Sequence, residues 1–86
     1  MPVISRFFGI AIRMYFRDHA PPHFHARYAE HEAVISIENL DVIEGRLPPR
    51  AQRMVIEWAV LNRQALQDDW RLALAGQPLQ PIAPLE

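Results

Sequence analysis

The chain has 86 residues, nine basic and ten acidic side chains, a formal charge of −1 and an apolar half. A length of this order supports one core and no cleft between two domains. Cys, Lys and Thr are absent and Ser5 and Ser36 are the only serines. That excludes disulfides, thiol nucleophiles, Cys-ligated zinc, Schiff-base lysines and phosphate-loop lysines, and leaves His, carboxylate, Tyr, Arg or a bound ion to carry chemistry.

In chain order, the first apolar run, Phe7 to Ile12, lies between Arg6 and Arg13. It is far short of the roughly 20 residues that a membrane span needs, so the chain reads as cytoplasmic with no membrane partner. From Phe8 to Arg17 the even positions Phe8, Ile10, Ile12, Met14 and Phe16 are apolar while Arg13, Tyr15 and Arg17 alternate with them. This predicts a half-buried strand. Asp18-His19-Ala20-Pro21-Pro22 breaks it, because proline lacks an amide donor and restricts the residue before it. His23 to Tyr28 and about Glu32 to Glu38 alternate again, and Leu40 to Ile43 gives a short further strand. After Pro49, apolar residues from Ala51 to Leu74 recur at helical spacing, as one helix or as two that bend near Asn62-Arg63. Gly76 and Pro78 stop it. The expectation is an α+β domain over 1–76, with strands in 1–46 and helix in 48–75. A three- or four-stranded antiparallel meander is covered on one face by the C-terminal helix or helices, and a proline-rich tail follows over 77–86.

The near-neutral total hides an asymmetry. Residues 1–29 carry four arginines against Asp18, a local charge of +3, residues 30–49 carry −4, and residues 50–86 balance. The basic first third suits an anion. Placing Ala29 opposite Glu32, and Arg17 opposite His23, makes every apolar pair agree. The other sheet face then gathers Arg13, Tyr15, Arg17, His23, His25, Arg27, Ser36 and Glu38, with His19 on the adjoining loop.

Three readings of that face stay open. The plainest is a solvated or partner-binding surface, on which cross-strand Arg–Glu and His–Glu pairs contribute about 0.2–1 kcal/mol each. A second is metal-independent RNA cleavage. His23 and His25 would be acid and base, Glu38 would orient them, Arg13, Arg17, Arg27 and His19 would hold phosphate, and Tyr15 would stack on a base. A third is a metal site from His19, His23 and His25, three imidazoles within a seven-residue stretch. His31 reads as solvated and Trp58 and Trp70 as core. No cofactor motif is present. The neutral helical segment lacks a helix-turn-helix signature, which disfavours specific duplex DNA.

The opening Met1-Pro2-Val3-Ile4-Ser5-Arg6-Phe7-Phe8-Gly9-Ile10, the string Ile12-Arg13-Met14-Tyr15-Phe16, then Asp18-His19 with Pro21-Pro22-His23-Phe24-His25, and the later Glu57-Trp58-Ala59 and Trp70 resemble domain-of-unknown-function family 4160. The likeness covers nearly the whole chain. The resemblance implies a small bacterial protein encoded beside another small protein in a toxin–antitoxin-like pair, some members carrying a transcriptional-regulator label. It therefore implies a small protein partner encoded nearby and, in a toxin-like member, RNA contact. The free edge of so small a sheet also invites a homodimer.

Overall fold

The computed structural model describes residues 2–86, and Met1 lies outside them. Five strands, β1 (Val3–Phe7), β2 (Ile10–Arg13), β3 (His23–Tyr28), β4 (His31–Ser36) and β5 (Val42–Gly45), precede two helices, α1 (Pro49–Leu61) and α2 (Arg63–Leu74). The strands form one antiparallel sheet in the order β1-β2-β3-β4-β5. The fold is α+β, with five strands rather than the expected three or four.

The additional strand arises because the alternation from Phe8 to Phe16 is interrupted twice. Phe8 and Gly9 have φ of 49° and 81°, the twist-compatible geometry of a two-residue hairpin turn. The turn folds Val3–Phe7 back onto Ile10–Arg13, and regular pairing of β2 then ends at Arg13. Phe8 at the turn and Phe16 beyond the strand are consequently exposed, although the alternation places both inward. Met14 remains fully buried.

Both inferred registers are shifted by two residues. Tyr28 pairs with His31, Ala26 with Ala33 and Phe24 with Ile35 across β3–β4, while Arg13 pairs with His25 and Ile12 with Ala26 across β2–β3. An even shift preserves which face each side chain occupies. Phe24, Ala26, Ala33, Ile35, Ile10 and Ile12 are therefore still core, but the neighbours on the open face change.

Both helices lie on the apolar face. Ala51, Val55, Trp58 and Ala59 of α1 and Leu66, Trp70 and Ala73 of α2 are buried. Trp58 is central, with its ring centroid 5.9 Å from Phe24 in an edge-on arrangement and 5.4 Å from Phe7. The helical stripe breaks at Asn62, whose side-chain amide donates to the Trp58 carbonyl at 2.8 Å.

The tail is fastened to this layer. The Ile82 amide donates to the Ile4 carbonyl at 2.8 Å, the Trp58 indole N–H donates to the Ala83 carbonyl at 2.8 Å, and the Gln80 amide donates to Asp69 Oδ1 at 2.8 Å. Asp69 is itself almost wholly buried. Burial pushes its carboxyl up, the Gln80 amide opposes this and the neighbouring Asp68 adds to it, so the group lies above the ordinary carboxylate range.

Candidate functional site

Strand geometry sends His23, His25 and Arg27 to the face opposite Phe24 and Ala26, a face that Trp70 of α2 reaches at its His23 end. Across β4 they meet Ser36, Val34 and Glu32 in turn, and across β2 Arg13 lies beside His25. Glu44 of β5 extends that row, opposite Val34. Residues 14–22 then fold back over the start of β3, through a loop in which the Ala20-Pro21 bond is cis. The loop brings two side chains onto the histidines. The Tyr15 ring meets His25 edge-on at a centroid distance of 4.4 Å, and the Asp18 carboxylate reaches both imidazoles.

His23 is 6% exposed and packs against Trp70 of α2 at a centroid distance of 5.1 Å. Its Nδ1 lies 2.6 Å from the Pro21 carbonyl and its Nε2 2.9 Å from Asp18 Oδ2. His25 places Nδ1 3.3 Å from Glu32 Oε2 and Nε2 3.8 Å from the same Asp18 oxygen. That Nε2 is buried without a hydrogen-bond partner. The other Asp18 oxygen, Oδ1, accepts from the His19 backbone amide at 2.9 Å and lies 2.9 Å from the His19 ring Nδ1. Partial burial pushes the Asp18 carboxyl up. The His19 amide and then the His23 and His19 rings outweigh that, and its pKa lies below the ordinary value.

Shallow cavities lie around His25, and two of them matter for the site. One, of about 260 Å³, is bordered by Asp18, His23, His25, Val34, Ile43 and Glu44. The second, of about 560 Å³, is lined by Arg13, Tyr15, Arg27 and Glu32. Among the described residues neither Arg13 nor Arg27 pairs with a carboxylate, and Arg27 spends only its Nε–H, on the Ala29 carbonyl at 3.1 Å. A larger cavity, about 850 Å³, lies away from this face among Leu47, Pro48, Pro49 and Ile56, and among the described residues no cluster of metal-ligating side chains borders it.

The structure brings together Arg13, Tyr15, His23, His25 and Arg27, keeps His19 at their rim with its ring centroid 6.0 Å from that of His23, and separates Glu38 and Arg17 from them. Glu38, predicted opposite His23, falls two residues past His23's partner and is exposed in the turn after β4. There its backbone carbonyl accepts from Arg63. The carboxylates on the histidines are Asp18 and Glu32. Arg17 turns toward the helical layer, its amide donating to the Ala73 carbonyl at 3.0 Å and its guanidinium packing beside Gly76. At the end of α2, that positive charge complements the helix dipole rather than a ligand. The His19 ring is 90% exposed and supports Asp18 from outside. The group with ligand atoms close enough for one ion is therefore Asp18, His23 and His25, not the three histidines. Asp18 reads in sequence as part of a strand break. Its signal is an Asp that enters a proline turn five residues before a His-x-His strand.

The family model described as domain of unknown function (DUF4160) matches residues 9–71, a span that takes in the loop, both site histidines and Trp70. The chain belongs to the DUF4160 family. No curated protein and no solved structure matches it. Within this DUF4160 chain no helix among the described residues is long and apolar enough to cross a membrane.

Proposed function

We propose that this DUF4160 domain is an interaction module whose open sheet face receives the phosphate backbone of single-stranded RNA. The observation that carries the reading is the cavity lined by Arg13 and Arg27, neither paired to a carboxylate, together with Tyr15. Guanidinium is the side chain best shaped for bidentate contact with phosphate. An aromatic ring next to it supplies a surface for an unpaired base. Glu32, which shares the cavity, is turned toward His25, and this leaves the two arginines to set the potential at the opening.

The toxin–antitoxin-like pairing implied by the resemblance gives such a face a setting, since a small protein encoded nearby would act by masking it. Cleavage by His23 and His25 without a metal has less support. His23 is buried, its Nδ1 against the Pro21 carbonyl and its Nε2 against Asp18, whereas a general acid or base must reach the proton that it transfers.

The test is fluorescence anisotropy with labelled single-stranded RNA across a salt series. Binding is expected to weaken with salt, and Arg13→Ala with Arg27→Ala is expected to lower both affinity and the slope against salt. Salt-independent binding, or an unaffected double variant, would sink the reading. Co-purification with the neighbouring gene product, without RNA affinity, would assign the face to a protein partner instead.

A further inference from the structure

A neutral imidazole has one N–H donor and one lone pair, and the partner of one nitrogen decides the role of the other. At His23 the Pro21 carbonyl, 2.6 Å from Nδ1, can only accept. It therefore fixes the proton on Nδ1 and leaves a lone pair on Nε2. At His25 the Glu32 carboxylate, 3.3 Å from Nδ1, imposes the same tautomer. The two Nε2 atoms lie 2.9 and 3.8 Å from one oxygen of Asp18. Three electron-pair donors thus converge with no donor hydrogen between them.

A proton on His23 would satisfy its contact with Asp18. It would leave His25 Nε2 as it stands, buried and without a partner. A cation satisfies all three atoms at once. We propose that Asp18, His23 and His25 bind a divalent transition cation of the zinc class, with a further coordination position open to the cavity beside Val34, Ile43 and Glu44.

The dimensions suit such an ion. Tetrahedral zinc with nitrogen and oxygen ligands at about 2.0–2.1 Å sets the ligand atoms about 3.3 Å apart. The two measured separations bracket that value, and the ligand atoms all lie within 4.8 Å of one another. Two imidazoles and one carboxylate favour zinc, iron or nickel over calcium or magnesium, which take oxygen ligands.

The surroundings are those of a supported site. Ligating histidines ordinarily donate their other N–H to a carbonyl or carboxylate, which are the roles of the Pro21 carbonyl and Glu32. Asp18 is held in the same way, its Oδ1 occupied by the His19 amide and ring so that Oδ2 faces inward. The His-x-His spacing on one strand sets the two rings side by side, with centroids 5.3 Å apart, and Trp70 fixes the buried one. None of these features depends on whether the Arg13–Arg27 cavity takes RNA.

The experiment is titration of the chelator-dialysed full chain with Zn(II), followed by calorimetry and thermal melting, and with Co(II) for its visible spectrum. One ion per chain is expected, with a raised melting temperature and the absorption of a four- or five-coordinate Co(II) site. Replacing His23 also removes its packing on Trp70, so the decisive variants are Asp18→Asn and His25→Ala, each confirmed as folded by circular dichroism. Both should lose stoichiometric binding. Glu32→Ala, which removes a positioning residue, should keep one ion and weaken it by about 10- to 100-fold, while His31→Ala should change nothing. The proposal is overturned if the wild-type chain takes up no ion at micromolar concentration. It is overturned equally if binding survives both Asp18→Asn and His25→Ala, which would assign the metal to surface histidines.

Discussion

The two faces of the sheet are built on different physics. Under the helices most positions are settled by volume, with Phe24, Ile12, Ile35 and Trp58 fully buried and their contribution roughly proportional to the apolar area removed from water. On the other face, positions are settled by direction. The Pro21 carbonyl aims one imidazole, Glu32 aims the next, and the His19 amide aims Asp18. The covered face should therefore tolerate changes that conserve volume and fail when a void is made. The open face should lose its chemistry to single-atom changes that leave the fold untouched.

The largest effect that separates the two is expected from Trp58→Ala, which opens a void between Phe7 and Phe24 and removes the indole bond to Ala83. A loss of about 3–5 kcal/mol is expected in urea unfolding, a large share of the stability of a domain this size. A shift well under 1 kcal/mol would show that the helical layer contributes little.

Gly45→Ala comes next. Gly45 adopts φ +68° and an added Cβ would sit 2.2 Å from the Glu32 carbonyl oxygen, which already accepts the Arg46 amide at 3.1 Å. A cost of about 1–3 kcal/mol is expected from the strained conformation alone. Hydrogen exchange should localise it, with the Arg46 amide losing protection while that of Ile82 keeps it.

Asp69 provides a test by pH. Its carboxyl is raised in the folded chain, so between the unfolded and folded pKa values the folded state holds a proton that the unfolded chain has released. The resulting penalty is absent below the unfolded value of 3.8 and grows as pH rises through the folded value. Asp69→Asn keeps an oxygen for the Gln80 amide and removes that penalty. Its stability relative to wild type should be more favourable near neutral pH than at about pH 3. Urea midpoints at both values measure this, and a difference of opposite sign would contradict the shift. The smallest effect belongs to Arg13→Ala with Arg27→Ala, both on the open face with no acidic partner. Their thermal stability should stay within about 0.5 kcal/mol of wild type, whatever they do to binding.

Within β2, β3 and β4 the division of faces was legible in the sequence because it follows from period 2 and a register shift of two residues leaves it intact, whereas Phe8, Phe16 and Arg17, outside the paired stretches, depart from it. The errors came from turns. Nothing about Ala29 announces a residue with φ of 54°, yet that turn moves Glu38 away from His23 and puts Glu32 beside Arg27. The Phe8-Gly9 turn did carry a signal, its glycine, but it lay within an unbroken apolar alternation that favoured one long strand. Asp18 was hidden for a different reason. Its contact with His23 depends on how the Pro21-Pro22 loop folds back, which local propensity does not determine. The break at Asn62 has neither glycine nor proline to mark it.

The tail's bond to Ile4 also bears on how copies of the chain meet. An unpaired strand rim is a template for any extended segment. Here one rim is partly spoken for, since Ile82 already uses the outward carbonyl of Ile4 in β1, while among the described residues no segment hydrogen-bonds along the outer side of β5. Growth of the sheet by an added strand is thereby made one-sided. The favoured side carries Glu44, at the border of the cavity beside His23 and His25, so a chain that docked there would arrive next to whatever that cavity holds.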